Sequence, residues 1–436
     1  MNRGASTLVH ATLTLLAGGA LAQLVPLLLW PVITRFFSPA AMGVFTQFST
    51  VAAALAVAAC LRYDWALPIA LEDQQAHALL SLAWRIGLVV VLLCVPLGWA
   101  LHAAGLLPLP GLLPLAVGCS ALLQLLMMWA NRARRFQAMA FSRVVQWGGA
   151  AVGQLSLGYV LWSSSAESAL GTEAAWTLIV APMLAQLLAA CWLLQPSPPG
   201  GWLTVLRPAS KALRSAMRTA AKQYRDFPLV NTPHAFLGTL QDALAVGLIV
   251  AMTGEASAGF WGLALRYLKA PSTLIGAAVS QALYPRLAGA GPLEARRMVR
   301  QLMGLLGLLG LALMAVLMIA GPWLFSKVFG SAWQEAGELA RALSPYIAAH
   351  FVAAPLAVVT MAWNAQRWAF RWALVGQMVF VVALALGLRQ GGLQGGAWAV
   401  SAAMLPYFGW YFYRLAWWPK IPIPAADHHT DRGGTT

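Results

Sequence analysis

Long apolar runs recur along this chain, and they decide its class before any motif does. Gly87 to Leu101 and Leu302 to Ile319 contain no charged residue. A bilayer core needs about 20 mostly apolar residues per helix, and it offers no water to an unpaired backbone group. A transmembrane β-barrel would instead show short alternating segments, and there are none. Of the 436 residues, 60% are hydrophobic and 9% charged, against roughly 25% charged in a soluble domain. With a mean hydropathy of +0.71, a soluble globular enzyme is excluded. The expected fold is an all-α polytopic membrane protein.

Hydropathy marks twelve spans, at 7–35, 40–61, 76–102, 107–130, 144–162 and 175–194, then 228–252, 257–283, 299–321, 337–361, 367–388 and 393–415. Pro26 and Pro31 lie inside the first and predict a bend there. Ala20-Leu21-Ala22 has the form of a signal-peptidase site. The apolar stretch runs on to Trp30, however, and only Arg3 precedes it, so it reads as a first transmembrane helix. The basic residues test the count. With the N-terminus inside, 21 of the 28 Lys and Arg fall on the cytoplasmic side, four outside and three deeper within spans. That asymmetry predicts an even number of spans with both termini cytoplasmic. It also accounts for the net charge of +15 by topology, with no nucleic-acid partner. Cys60, Cys94, Cys119 and Cys191 all sit in apolar segments and read as packing residues, with no metal site or disulfide framework.

The chain divides near its middle. The expected organisation is a six-helix bundle over 1–194, a linker over 195–225, a second six-helix bundle over 226–418 and a polar tail over 419–436. The linker opens on Gln195-Pro196-Ser197-Pro198-Pro199-Gly200-Gly201. Arg207, Lys211, Arg214, Arg218, Lys222 and Arg225 follow at steps of three and four, which predicts one helix with a single basic face. Two readings stand side by side: an amphipathic helix on anionic membrane lipids, or a positive-inside anchor. Ser38-Pro39-Ala40-Ala41-Met42-Gly43-Val44-Phe45 is similar to Gly254-Glu255-Ala256-Ser257-Ala258-Gly259-Phe260-Trp261. The offset is 216 residues, which suggests two parallel repeats.

There is no Gly-rich phosphate loop with Lys-Ser/Thr and no His-Glu-x-x-His motif, and the outer loops are too short for a catalytic domain. The sequence reads as a conduit and not an enzyme, with no metal and no bound cofactor. A conduit declares itself through charge inside the membrane, which is costly and faces an interior cavity. Arg266 and Lys269 lie in the eighth span, Asp242 in the seventh and Arg85 in the third. Arg35 closes the first span and Arg62 follows the second. Guanidinium groups pair with phosphate oxygens, so a cationic cavity favours an anionic cargo. Arg85 reads as a snorkelling residue. Asp242 reads either as a proton or sodium coupling site or as an ion-pair partner of Arg266. His10, His234 and His350 read as packing residues.

Several segments resemble one family in chain order. Arg62-Tyr63-Asp64-Trp65-Ala66-Leu67-Pro68 resembles the Arg-Tyr-Glu-x-Ala-Ile-x-Leu-Pro element of bacterial polysaccharide, or O-antigen, flippases. Tyr224-Arg225-Asp226-Phe227-Pro228-Leu229 is similar to their Tyr-x-x-Phe-Pro element. Gln281-Ala282-Leu283-Tyr284-Pro285-Arg286-Leu287 is similar to their Phe/Tyr-Pro-x-Leu element, and Pro31 to Pro39 to the end of their first helix. These flippases belong to the multidrug/oligosaccharidyl-lipid/polysaccharide exporter superfamily. The resemblance implies two six-helix bundles around a central cavity in the bacterial inner membrane. It implies a cargo of undecaprenyl-pyrophosphate-linked oligosaccharide, moved from the cytoplasmic to the periplasmic leaflet for O-antigen or exopolysaccharide assembly. Polysaccharide polymerase and chain-length proteins are the implied partners. Arg35, Arg62 and Arg266 match the places of cavity arginines in related peptidoglycan-precursor flippases, and Lys269 joins them as a candidate. Asp64 stands where the family element has Glu. The rival readings are a drug or organic-cation exporter of the same superfamily, a membrane-embedded polysaccharide polymerase or ligase, and an exporter of another polyprenyl lipid.

Overall fold

A computed structural model describes residue 19 and residues 22–165, 169–195, 197–198, 200–419 and 421. The start of the first expected span, the Ala20-Leu21 step, His10 and the polar tail beyond residue 421 lie outside these. Among the described residues no β-strand forms, and one isolated bridge joins Phe37 to Leu170.

The helices follow the apolar runs. In the first half they are α1 (Ala22–Phe36), α2 (Pro39–Ala58), α3 (Asp73–Ala103), α4 (Leu113–Arg132), α5 (Phe136–Ser164) and α6 (Ala175–Trp192). In the second they are α9 (Thr232–Thr253), α10 (Glu255–Gly289), α11 (Pro292–Phe329), α12 (Gln334–Ala362) and α13 (Gln366–Ala416). Between them lie two short helices, α7 (Trp202–Leu206) and α8 (Lys211–Gln223). Eight segments of the described residues are long and apolar enough to cross a membrane. Helices α1, α5 and α10 occupy three more of the expected spans. Helix α13 occupies two: its 51 residues would reach about 77 Å as one helix, against a core of about 30 Å. The break falls at Gly391 and Gly392, where Gly392 adopts φ 59°, a left-handed conformation that glycine takes without a Cβ clash. Gly387, Gly395 and Gly396 then let the two arms pack backbone to backbone. The all-α polytopic membrane fold is thereby established.

The described residues form two compact units. One holds the chain up to Gly262 together with Phe325–Glu335; the other holds Leu263–Leu324 and the chain from Ala336 onward. In the first, α5 packs on α6, α3 on α4 and α9 along α2. Ser38 caps α2 by accepting from the Ala41 amide at 3.2 Å, with Pro39 in the first turn. In the second, Leu283, Leu306, Phe351 and Leu356 are part of one buried cluster, and Ser401 Oγ donates to the Ala342 carbonyl at 2.6 Å.

The two repeated octapeptides meet inside the first unit. A Cβ on Gly43 would overlap the Glu255 carbonyl, and a Cβ on Gly259 would overlap that of Pro39. Glu255 is the counterpart of Pro39, and Gly259 of Gly43, at the 216-residue offset. Gly262 faces Thr46, its own counterpart at the same offset. Reciprocal pairs together with a self-paired position are what a local two-fold axis produces.

The linker differs from the single helix its charge spacing predicts. Pro208 disfavours the helical region at the residue before it. Arg207 accordingly turns extended, at φ −65° and ψ 156°, and separates α7 from α8. Helix α8 buries Ala220 and half-buries Leu213 and Met217, packing against α3.

Candidate functional site

After α2 the chain reverses through Leu61 and Arg62, both in the left-handed region at φ 46° and 60°. Non-glycine residues hold that conformation only where the surroundings enforce it, at a cost of order 1–3 kcal/mol each. Here a 3₁₀ turn, Tyr63–Ile69, follows at once and is anchored on three sides. The Asp64 side chain is fully buried and accepts from Gln124 Nε2 of α4 at 2.7 Å. Arg132, at the end of α4, donates to the Ala70 carbonyl and pairs with Asp73 Oδ1 at 2.9 Å. Tyr63 OH donates to the Ala221 carbonyl of α8 at 3.3 Å.

The turn presents Arg62 and Trp65 together. The guanidinium lies over the indole, 4.7 Å from its centroid. Arg62 Nε is buried and makes no hydrogen bond. Burial lowers the Arg62 pKa from its ordinary value, and Asp64 opposes that shift. A guanidinium remains charged at neutral pH regardless. Burial raises the Asp64 pKa, against the hydrogen bond from Gln124 and the charge of Arg62; burial also raises that of Tyr63.

A wall from α9 and the π turn before it faces this pair. Phe227, Asn231, His234, Ala235 and Gly238 recur at helical spacing and so share one face. With Arg62 and Trp65 they line a pocket of about 480 Å³. The polar groups Asn231 and His234 therefore stand across from a cation lying on an aromatic ring.

Of the five candidate site residues, Arg62 lines this pocket. Arg35 is exposed at the end of α1, beside Thr34, whose carbonyl accepts from Trp333 Nε1 at 3.0 Å. Asp242 is half-buried in α9. Arg266 is exposed and Lys269 half-buried on α10, three residues apart and so on one face. Lys269 acts electrostatically on His350. The sequence alone does not single out Asn231 or Gln124, and it reads His234 as a packing residue. A lone amide or imidazole carries no periodic signal, although the 227–231–234–238 spacing was there to be read. Among the described residues no group of three or more His, Cys, Asp or Glu side chains is placed to hold a metal ion.

The family model described as "Polysaccharide biosynthesis protein" matches residues 32–338. No curated protein matches the chain. Among solved structures, the lipid II flippase MurJ in an inward closed conformation is similar over 94% of this chain and 90% of its own, with 10% identity and a TM-score of 0.69. An inward-facing multidrug resistance MATE family transporter of the MOP superfamily is similar over 92% and 94%, with 11% identity and a TM-score of 0.61. A family match over most of the length joins a fold shared with transporters of that superfamily, and the chain belongs to the polysaccharide biosynthesis protein family.

Proposed function

We propose that the chain is a flippase. It moves undecaprenyl-pyrophosphate-linked oligosaccharide from the cytoplasmic to the periplasmic leaflet by alternating access, for O-antigen or exopolysaccharide assembly. The observation that carries this reading is the Arg62 pocket, in which a guanidinium lies on Trp65 and faces Asn231 and His234. A guanidinium lining a pocket pairs with phosphate oxygens. An indole ring and the Asn231 amide suit the apolar face and the hydroxyls of a sugar. A volume of about 480 Å³ fits a head group of small-ligand size, so the rest of an oligosaccharide would extend beyond it.

Arg266, Arg35 and Lys269 are proposed contacts for pyrophosphate or acidic sugars at other stages of the passage. Asp242 is the proposed coupling residue, for a proton or sodium ion or through an ion pair that breaks during rocking. In this reading the protein transports and does not catalyse. Both termini face the cytoplasm of the bacterial inner membrane, and the polymerase and chain-length proteins act on the delivered cargo.

The test uses Arg62→Asn, because asparagine tolerates the left-handed conformation while removing the cation. In a deletion strain complemented with this variant at normal protein level, undecaprenyl-linked oligosaccharide should accumulate. It should remain inaccessible from the periplasm, and surface glycan should be lost. Normal surface glycan with no accumulated lipid intermediate would refute the assignment and favour an organic-cation exporter.

A further inference from the structure

Helix α8 carries a basic motif that the proposed cargo path does not use. Arg207 and Lys211, Arg214, Arg218, Lys222 and Arg225 are all exposed. The segment 195–225 contains no acidic residue. The apolar side of α8 is already occupied, since Leu213, Met217 and Ala220 turn toward α3. The helix therefore does not need to bury a hydrophobic face in lipid. It is a short bar packed on α3, with its cations exposed.

Its position follows from its fastenings. Gln75 Nε2, in the first turn of α3, donates to Gln223 Oε1 at 2.7 Å. Arg85 Nη2, farther along α3, donates to the Arg207 carbonyl at 2.7 Å. Trp202 of α7 donates through Nε1 to the Leu194 carbonyl, just past the end of α6, at 2.8 Å. The bar thus lies where spanning helices α3 and α6 leave the membrane. Exposed apolar side chains lie in the segments joined to these fastenings: Leu203 and Leu206 in α7 and Leu71 just before α3, at 61%, 54% and 94% exposure. A band of cations next to exposed leucines, at the end of a membrane bundle, matches a lipid interface of negative head groups over acyl chains.

We propose that the outward face of α8 docks anionic phospholipid head groups of the bilayer the chain spans, and that lipid held there steadies the turn carrying Arg62. The second part follows from the hydrogen bond between Tyr63 OH and the Ala221 carbonyl, since Tyr63 adjoins Arg62. Lipid docking is independent of the cargo reading; only a consequence for transport rests on it.

The test is native mass spectrometry of the purified full-length protein, titrated with phosphatidylglycerol and separately with phosphatidylcholine. Lys211, Arg218 and Lys222 are changed together to Gln, which keeps helix propensity. Each cation near an anionic surface strengthens attraction about fivefold, so the triple variant should need on the order of 100-fold more phosphatidylglycerol for equal retention. Phosphatidylcholine retention should not change. Hydrogen exchange of residues 59–72 is read in the same samples. Phosphatidylglycerol should slow it in the wild type and leave the variant unaffected. Superimposable phosphatidylglycerol titrations would overturn the docking, as would an acidic protein captured by α8 without any lipid preference. Unchanged exchange at 59–72 despite lipid retention would overturn the link to the turn. A wrong cargo would leave both readouts as expected.

Discussion

Replacing Gly259 with alanine tests the contact on which the first unit closes. A Cβ there would lie 2.9 Å from the Pro39 carbonyl carbon and 3.1 Å from the Gly43 amide nitrogen, and it would overlap the Pro39 oxygen. Carbon contacts settle near 3.5–4.0 Å, so the two backbones must part by on the order of 1 Å. Both partners are main chain, and neither can swing aside as a side chain would. The cost therefore belongs at the upper end of the overpacking range, about 3 kcal/mol. Gly43→Ala meets the reciprocal partner, with a Cβ 2.6 Å from the Glu255 carbonyl carbon, and should cost about the same. The two changes share one crossing. Once the first has separated the helices, the second meets less resistance, so the double variant should fall short of the sum by about 1 kcal/mol or more. Gly247 is the control, because it lies in α9 with nothing within 4 Å of its added Cβ. Gly247→Ala should be neutral or stabilise by up to about 1 kcal/mol through helix propensity. Thermal unfolding of the purified chain in one detergent reads all four variants against the wild type, and a loss of about 3 kcal/mol corresponds to a drop on the order of 3 °C in a chain of this length. If Gly259→Ala unfolds with Gly247→Ala, the close crossing does not exist and the reciprocal contact falls with it.

Two further predictions concern the turn that carries Arg62. Arg132→Ala removes the donor to the Ala70 carbonyl and the pair with Asp73, so hydrogen exchange across residues 63–70 should quicken while α2 and α6 stay protected; unchanged exchange would show that the turn does not depend on Arg132. Burial raises the folded-state pKa of Asp64, so its contribution to stability is complete below the ordinary carboxylate value of about 3.9 and is lost as pH rises through the raised value. Asp64→Asn should therefore flatten the fall in Tm with rising pH from about 4 upward; an equally steep fall in the variant would exclude Asp64 as its source.

Much of the architecture is written in hydropathy because the bilayer selects for it segment by segment. Each expected span meets a helix, within a few residues at most ends. The pair expected at 367–388 and 393–415 appears as the two arms of α13, divided at Gly391-Gly392. In the linker the predicted helix forms over Lys211–Gln223 and stops short of Arg207 for an equally local reason. Its cations recur at helical spacing, but Pro208 interrupts the backbone that would carry them, and the extended Arg207 leaves two short helices. The candidate pocket was less legible. Arg62 and Trp65 stand out in the sequence, whereas Asn231 and His234 reach them only because α9 packs along α2. No property of those two side chains encodes which helix their own helix will meet.

The repeated octapeptide shows how far such a signal extends. An offset of 216 residues between two short stretches predicts equivalent positions at the start of two helices, and both copies begin one, α2 at Pro39 and α10 at Glu255. It does not predict that they touch. The contact adds a constraint that a duplicated motif lacks. Around a two-fold axis each residue must meet the counterpart of its partner, so a glycine required at one site is required at the other for the same steric reason. Gly43 and Gly259 obey that rule, while Thr46 and Gly262, being each other's counterparts, face one another near the axis. At that central pair the two copies need not be identical, and they are not: one supplies a β-branched side chain and the other the space for it. A Cβ on Gly262 would lie 2.7 Å from Thr46 Cγ2. Glycine is thus kept in both copies at Gly43 and Gly259, where a Cβ would strike main chain, and in one copy only at Thr46 and Gly262, where a single side chain fills the gap for both.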